Sequence, residues 1–123
     1  MTLYEAYEDS HTRFDDILFI GGSDYPIEFP VYNSSGAQQD LTSYSGAWFL
    51  SPYGQPKIPI LELPCDIAGN YSFIITIPKS VTLSLSGAYT HQLEITDSTG
   101  KSTRVGEGTI VIKKGIPSLG DPV

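Results

Sequence analysis

Two stretches, Asn33-Ser34-Ser35-Gly36 and Asp97-Ser98-Thr99-Gly100, repeat one turn grammar in the two halves of the chain, and each stands between strand-like segments. A short polar loop ending in Gly supplies the positive φ that reverses a chain, which is the chemistry of an antiparallel hairpin. A chain punctuated in this way is expected to fold as a small all-β sandwich. Its 123 residues, 40% hydrophobic with eight Tyr, five Phe and one Trp, hold enough apolar material for one core. At that size folding buries roughly two-thirds of the surface the unfolded chain exposes. Cys65 is the single cysteine, so the core has to form without an internal disulfide.

The formal charge of −7, with only seven scattered Lys and Arg, excludes phosphate-backbone binding, which depends on cationic side chains displacing counterions. Nucleic acid is therefore not an expected partner. Residues 1–9 have neither the basic flank nor the apolar stretch of a secretory signal, and no run approaches the roughly 18 apolar residues of a membrane span. The expectation is a protein made in a cytoplasm and away from membranes, kept there or carried out inside a larger particle.

Along the chain, residues 1–16 are polar and acidic, with Tyr4, Tyr7 and Phe14 too sparse to bury a helix face, and read as a flexible arm ordered by a partner. Residues 17–21, Ile-Leu-Phe-Ile-Gly, read as a strand, and Gly22-Ser23-Asp24 as a turn. Residues 25–32 alternate, with Ile27, Phe29 and Val31 on one face; Pro26 and Pro30 place that strand at an edge or leave it partly paired. Residues 44–51 set Tyr44, Gly46, Trp48 and Leu50 on one face, with Trp48 at the centre of the core. A short strand over 57–63, broken by Pro59, precedes a stronger one over 70–77. Val81, Leu83 and Leu85 fit either a strand or one helical turn bridging the sandwich. Residues 88–96 turn Tyr89, His91, Leu93 and Ile95 inward, and residues 101–113 form the last strand or pair, kinked at Gly106 or Gly108. Residues 115–123 read as a tail. About seven or eight short strands with frequent turns predict an immunoglobulin-like antiparallel β-sandwich over residues 17–114, between flexible N- and C-terminal arms at 1–16 and 115–123.

Several residues in this order carry a resemblance. Asp40-Leu41-Thr42-Ser43-Tyr44 leads into one strand, Gly69-Asn70-Tyr71-Ser72-Phe73 into the next, and Thr82-Leu83-Ser84-Leu85-Ser86-Gly87-Ala88-Tyr89 precedes Leu93-Glu94-Ile95-Thr96-Asp97. Together with the closing Gly106, Glu107, Gly108, Thr109 and Val111, this succession resembles the immunoglobulin-like domain of tailed-phage structural proteins, in particular the N-terminal domain of phage baseplate upper proteins. Ser43 stands where that family often has Gly. The resemblance covers residues 17–113 and favours the helical turn over the strand at Val81 to Leu85. It implies a virion component such as a baseplate, tail, fibre or capsid-decoration protein, whose partners are other virion proteins and, in an oligomer, further copies of itself.

No constellation of catalytic or metal-binding spacing stands out, so the expectation is a non-enzyme without metal or cofactor. His91 reads as a packed structural residue, Cys65 as an inert thiol, and Gly21-Gly22 as a turn too short to cradle phosphate. Asp15, Asp16 and Asp24 match no calcium loop and read as a solvated edge. A third reading, a hydrolase, would need a carboxylate pair such as Glu28 with Glu62 or Glu94. Asn33 and Asn70 match the glycosylation acceptor pattern but read as turn residues. Contact with partners falls to Tyr4, Tyr7, Phe14 and Tyr53, and in the tail to Ile116 and Leu119. A second function, binding of a host glycan, would use Tyr32, Tyr53 and, if exposed, Trp48.

Overall fold

The computed structural model describes residues 2–55, 58–116 and 119. In chain order the strands are β1 (Thr2–Leu3), β2 (Ala6–Tyr7), β3 (Thr12–Arg13), β4 (Ile17–Ile20), β5 (Tyr25–Tyr32), β6 (Ser45–Pro52), β7 (Leu61–Pro64), β8 (Asp66–Ala68) and β9 (Ser72–Ile77). One helical turn, α1 (Lys79–Ser84), then leads to β10 (Gly87–Thr96) and β11 (Ser102–Lys113). A five-stranded sheet runs β1-β5-β9-β8 with β2 also on β5, and a six-stranded sheet runs β3-β11-β10-β6-β7 with β4 also on β11. Counting the four N-terminal pieces as one interrupted strand leaves eight, in the two-sheet order of an immunoglobulin-like sandwich.

The alternation read from the sequence is the alternation that packs. Ile27, Phe29 and Val31 from β5, Phe73, Ile75 and Ile77 from β9, Trp48 and Leu50 from β6, and Leu93 and Ile95 from β10 form one buried cluster between the sheets. Residues 79–84 are helical, and Thr82 ties that turn to the Gly21–Asp24 corner: Gly22 N–H donates to Thr82 Oγ1 (3.1 Å), whose hydroxyl donates to Ser23 O (2.8 Å). Asp24 Oδ1 accepts the Lys79 N–H (2.7 Å), satisfying an otherwise orphan amide at the helix start.

The N-terminal segment departs from expectation. It is not an arm but the interrupted first strand of the sandwich, and both sheets are mixed because of it. β1 and β2 run parallel to β5, and β3 and β4 run parallel to β11, so the segment changes sheets midway and closes one side of the sandwich. The reason lies in β11. Gly106 and Gly108 face inward, and a Cβ on Gly106 would stand 2.0 Å from the Phe14 ring, so the missing side chains make the space in which Phe14 is buried. Ala6 and Ile17 enter the same core.

The segment also decides between the two readings of Pro26 and Pro30: β5 is not an edge strand but a partly paired one, laddered to β9 along residues 25–30 and to β1 and β2 only at 27–28 and 31–32. Val31 N–H donates toward Tyr71 O on the β9 side (3.0 Å), while Glu28 O and Tyr32 O accept from Tyr4 and Glu8 N–H on the other. Backbone groups alternate sides along a strand, so the nitrogens of Pro26 and Pro30 point to the N-terminal side. Pro30 falls between the β1 and β2 ladders, where no donor is needed.

Three smaller differences concern β7, β8 and β11. The expected 57–63 strand begins at Leu61, with Pro56 and Lys57 outside the described residues. β8 has no counterpart among the expected strands; the Gly69-Asn70 pair, both at positive φ (63° and 66°), is the turn signal that marks its hairpin with β9. Residues 102–113 are one strand with a bulge at Val105, where the register with β10 steps from Leu93↔Gly106 to Glu94↔Arg104. Of the C-terminal tail only Gly115, Ile116 and Leu119 are described, the last two almost wholly exposed; the other residues of 115–123 lie outside the described residues.

Candidate functional site

Of the residues singled out as partner contacts, Phe14 belongs to the interior and Tyr4 packs against it, partly buried. Phe14 is 2% exposed, and its ring lies 5.3 Å from Tyr4, 5.4 Å from Phe29 and 5.7 Å from His91. Tyr4 sits in the same cluster, 6.2 Å from His91, with its phenol pushed up to about 12 by burial and by the nearby Tyr25, Asp15 and Asp16. Phe14 is not available to another protein while the sandwich is intact, and Tyr4 is partly buried against the core.

His91 anchors this cluster. It is fully buried, and the indole N–H of Trp48 donates to its Nδ1 at 3.0 Å. A neutral imidazole that accepts at Nδ1 carries its proton on Nε2, and that buried atom has no hydrogen-bond partner among the described residues. Burial holds the imidazole down at about 4. A packed structural histidine is what the sequence suggested, and Trp48, fully buried, cannot form a sugar platform.

The remaining candidates reach the surface. Tyr7 is half-buried against Tyr32, ring centroids 5.7 Å apart. Tyr53 is 63% exposed and borders a polar cavity of about 200 Å³ on the outer side of the six-stranded sheet, lined also by Arg13, Thr90, Glu107 and Thr109. A second cavity, of about 160 Å³, lies between Glu8, Asp9, Tyr44, Asp97 and Lys101. There the Tyr44 hydroxyl donates to Glu8 Oε2 (2.8 Å), and that bond, with burial added, pushes the phenol up to about 12.

The proposed carboxylate pairs are not assembled. Glu28 points out from the five-stranded sheet while Glu62 and Glu94 belong to the other sheet, and Glu94 Oε2 accepts from Arg104 Nε (3.0 Å). Arg104 also donates to Gln92 Oε1 (2.6 Å) and lies 4.0 Å above the Phe49 ring. Among the described residues no group of three His, Cys, Asp or Glu is placed to hold a metal ion. Cys65 has its thiol pushed up to about 12 by burial, with Asp66 adding to the effect, so thiolate chemistry is suppressed. Asn33 is engaged in its own turn through Oδ1.

The surface feature that sequence reasoning missed is on β4. Leu18 and Ile20 point outward, 63% and 66% exposed. Four consecutive apolar residues carried the signal, since a strand with one solvated face exposes every second side chain. Leu18 continues an outward apolar row through Val111 and Ala88, its neighbours on β11 and β10.

No protein-family model matches this chain, and no curated protein matches it. Among solved structures, the N-terminal domain of phage TP901-1 ORF48 aligns with 93% of this chain and 100% of that one, with a TM-score of 0.58 at 10% identity. CopC from Methylosinus trichosporium OB3b aligns over 88% of each chain (TM-score 0.49, 9% identity). The fibronectin(III)-like modules of Clostridium thermocellum CbhA align over 91% of this chain and 98% of theirs (TM-score 0.47, 9% identity). At 10% identity the likeness is one of fold: the chain shares a β-sandwich with the N-terminal domain of a phage protein.

Proposed function

We propose that the chain is a non-enzymatic structural component of a bacteriophage particle, a baseplate, tail, fibre or capsid-decoration protein that docks on neighbouring virion proteins. The observation that carries this reading is the match, over 93% of the chain, to the domain of a phage protein, in the region where the turn and strand motifs resemble phage baseplate upper proteins. A buried neutral His91, a suppressed Cys65 and separated carboxylates are what such a body needs: packing, not reactivity. Docking through an N-terminal arm is given up, since that segment is spent inside the sandwich. Contact falls instead to outward side chains and to the C-terminal segment with Ile116 and Leu119. Mass spectrometry of purified particles from a phage that encodes the chain is expected to find it as a stoichiometric component. Its absence from the particles would overturn the assignment.

A second reading, a host-glycan contact, is favoured by Tyr53 beside a cavity that offers hydroxyl, cationic and anionic groups. An exposed aromatic face with polar groups around it suits a sugar ring. Glycan-array binding that disappears in Tyr53→Ala is the expected result; no binding across a broad array would remove this reading and leave the structural one intact.

A further inference from the structure

The edges of the two sheets differ in how they are closed to other strands. β7 carries the exposed Glu62 and ends in Pro64, β8 is three residues long and begins with Asp66, and β1, β2 and β3 are two residues each. Charge, proline and brevity are the devices that keep an edge from recruiting a second strand. β4 has neither charge nor proline within its four residues. It is Ile-Leu-Phe-Ile, hydrogen-bonded to β11 on one side and paired with no described strand on the other. Gly21 N–H donates to Lys113 O on β11 (2.8 Å), and backbone groups alternate sides, so those of Leu18 and Ile20 face the open edge.

We propose that this edge pairs with the same edge of a second copy of the chain, antiparallel about a two-fold axis at Phe19. In that register Leu18 of each copy stands opposite Ile20 of the other and exchanges both backbone hydrogen bonds with it, joining two six-stranded sheets into one. The apolar row Ala88, Val111, Leu18 then continues into Ile20 of the second copy.

Charge selects the occupant. Asp15 and Asp16, both exposed, stand at the start of β4, and the exposed Lys113 lies beside its end, in register with Ile20. Lys114 comes next, its Nζ donating to Leu83 O (3.4 Å). Antiparallel pairing brings the acidic start of one copy toward Lys113 of the other, one strand in from the edge, twice, whereas parallel pairing sets like charges together. Among the described residues the ion-pair contact of Asp16 is an exposed 4.0 Å approach to Arg13, weak enough to exchange. On a chain of net charge −7, Asp15 and Asp16 at one end with Lys113 and Lys114 at the other make the strip self-complementary. Four residues a side make less than the standard interface of roughly 1,600 Å², so the dimer is weak and concentration-dependent. The inference holds whether or not the particle assignment does.

Sedimentation velocity of the full chain at protein concentrations from a few micromolar to about 1 mM tests it, with a species of twice 13.4 kDa expected to grow with concentration. Leu18→Lys and Ile20→Lys, at exposed positions that leave the thermal melt in place, are expected to weaken dimerisation more than about 30-fold, as for a central interface residue. Lys113→Glu is expected to weaken it roughly fivefold, as for two exposed ion pairs, and the added Asp16→Lys to restore it. A chain that stays monomeric at the highest concentration overturns the proposal. So does a dimer that survives Leu18→Lys and Ile20→Lys, or a Lys113→Glu loss that Asp16→Lys does not repair.

Discussion

The two ends of the chain read alike and behave differently. Residues 1–16 and 115–123 are both polar stretches with a few large apolar side chains. Yet Phe14 is 2% exposed and Ile116 is 94% exposed. The difference is not in the segments but in what awaits them. The N-terminal segment meets the open sides of β5 and β11 and a hollow left by Gly106 and Gly108, and its residues are spaced so that Tyr4, Ala6, Phe14 and Ile17 reach the core. By Ile116 the chain has passed the end of β11, and that side chain has no core cavity to fill. An apolar residue in a polar stretch is therefore a reporter of unfilled space elsewhere, and its fate is set by whether the rest of the fold left a place for it.

Deleting residues 1–14 would break this comparison most severely. It strips the edge partners of β5 and uncovers the Phe14 hollow, so the expected outcome is loss of cooperative urea unfolding, read by circular dichroism. A truncated chain that melts like the full one would return the segment to the status of an arm. Phe14→Ala alone is expected to cost about 3–5 kcal/mol by chemical denaturation, the range for a fully buried aromatic. Gly106→Ala should cost about 1–3 kcal/mol through overpacking against the Phe14 ring, and much less once Phe14 is Ala. Additive costs in that cycle would show that the two residues do not share the space.

Acid sharpens the same contrast because His91 lies under Tyr4 and Phe14. Its folded value of about 4 lies below the ordinary 6.5, so the unfolded chain takes up a proton first. Stability is then fully present above pH 6.5 and is lost as pH falls toward 4, by about 3 kcal/mol at its lower end. Asp40 and Asp97 are held low by hydrogen bonds from Thr42 and Thr99 and lose their contribution only below the ordinary carboxylate range, so the window above pH 4.5 belongs to His91. Denaturation midpoints at pH 7.5 and 4.5 separate the two, and a flat profile across that interval would remove the imidazole from the account. Smallest of all, Ile116→Ser and Leu119→Ser are expected to move stability by less than about 0.5 kcal/mol, since neither side chain is buried. A larger loss would mean the C-terminal segment is as embedded as the N-terminal one.

The two turns show how far local grammar reaches. Asn33 Oδ1 accepts from Ser35 and Ala37 N–H, and Asp97 Oδ1 from Thr99 and Lys101 N–H, while Gly36 and Gly100 take positive φ of 83° and 90°. The turns are near copies, yet only the second closes a long hairpin, β10 with β11. The first closes a single bridge, Tyr32 with Gln38, before Leu41 enters the core and the chain crosses to the other sheet. Beyond the first turn, Gln38-Gln39-Asp40 offers no alternating face to pair with β5. In the candidate surface, Tyr53 was legible as an exposed aromatic beside a turn, whereas Leu18 and Ile20 were not, because a continuous apolar run does not say which alternate residues face out.

From its own residues the chain determined the periods and the punctuation: where Ile27, Phe29 and Val31 share a face, where Gly100 reverses the chain, and that Trp48 and His91 lie inside. These are properties of neighbours in sequence, fixed by strand geometry and backbone conformation. Which strands meet, the parallel seating of residues 2–20 on both sheets, and the edge at β4 that pairs with no described strand were decided only in three dimensions. They depend on volumes and open hydrogen-bonding sides contributed by residues as distant as Phe14 and Gly106, and no local pattern encodes such a match.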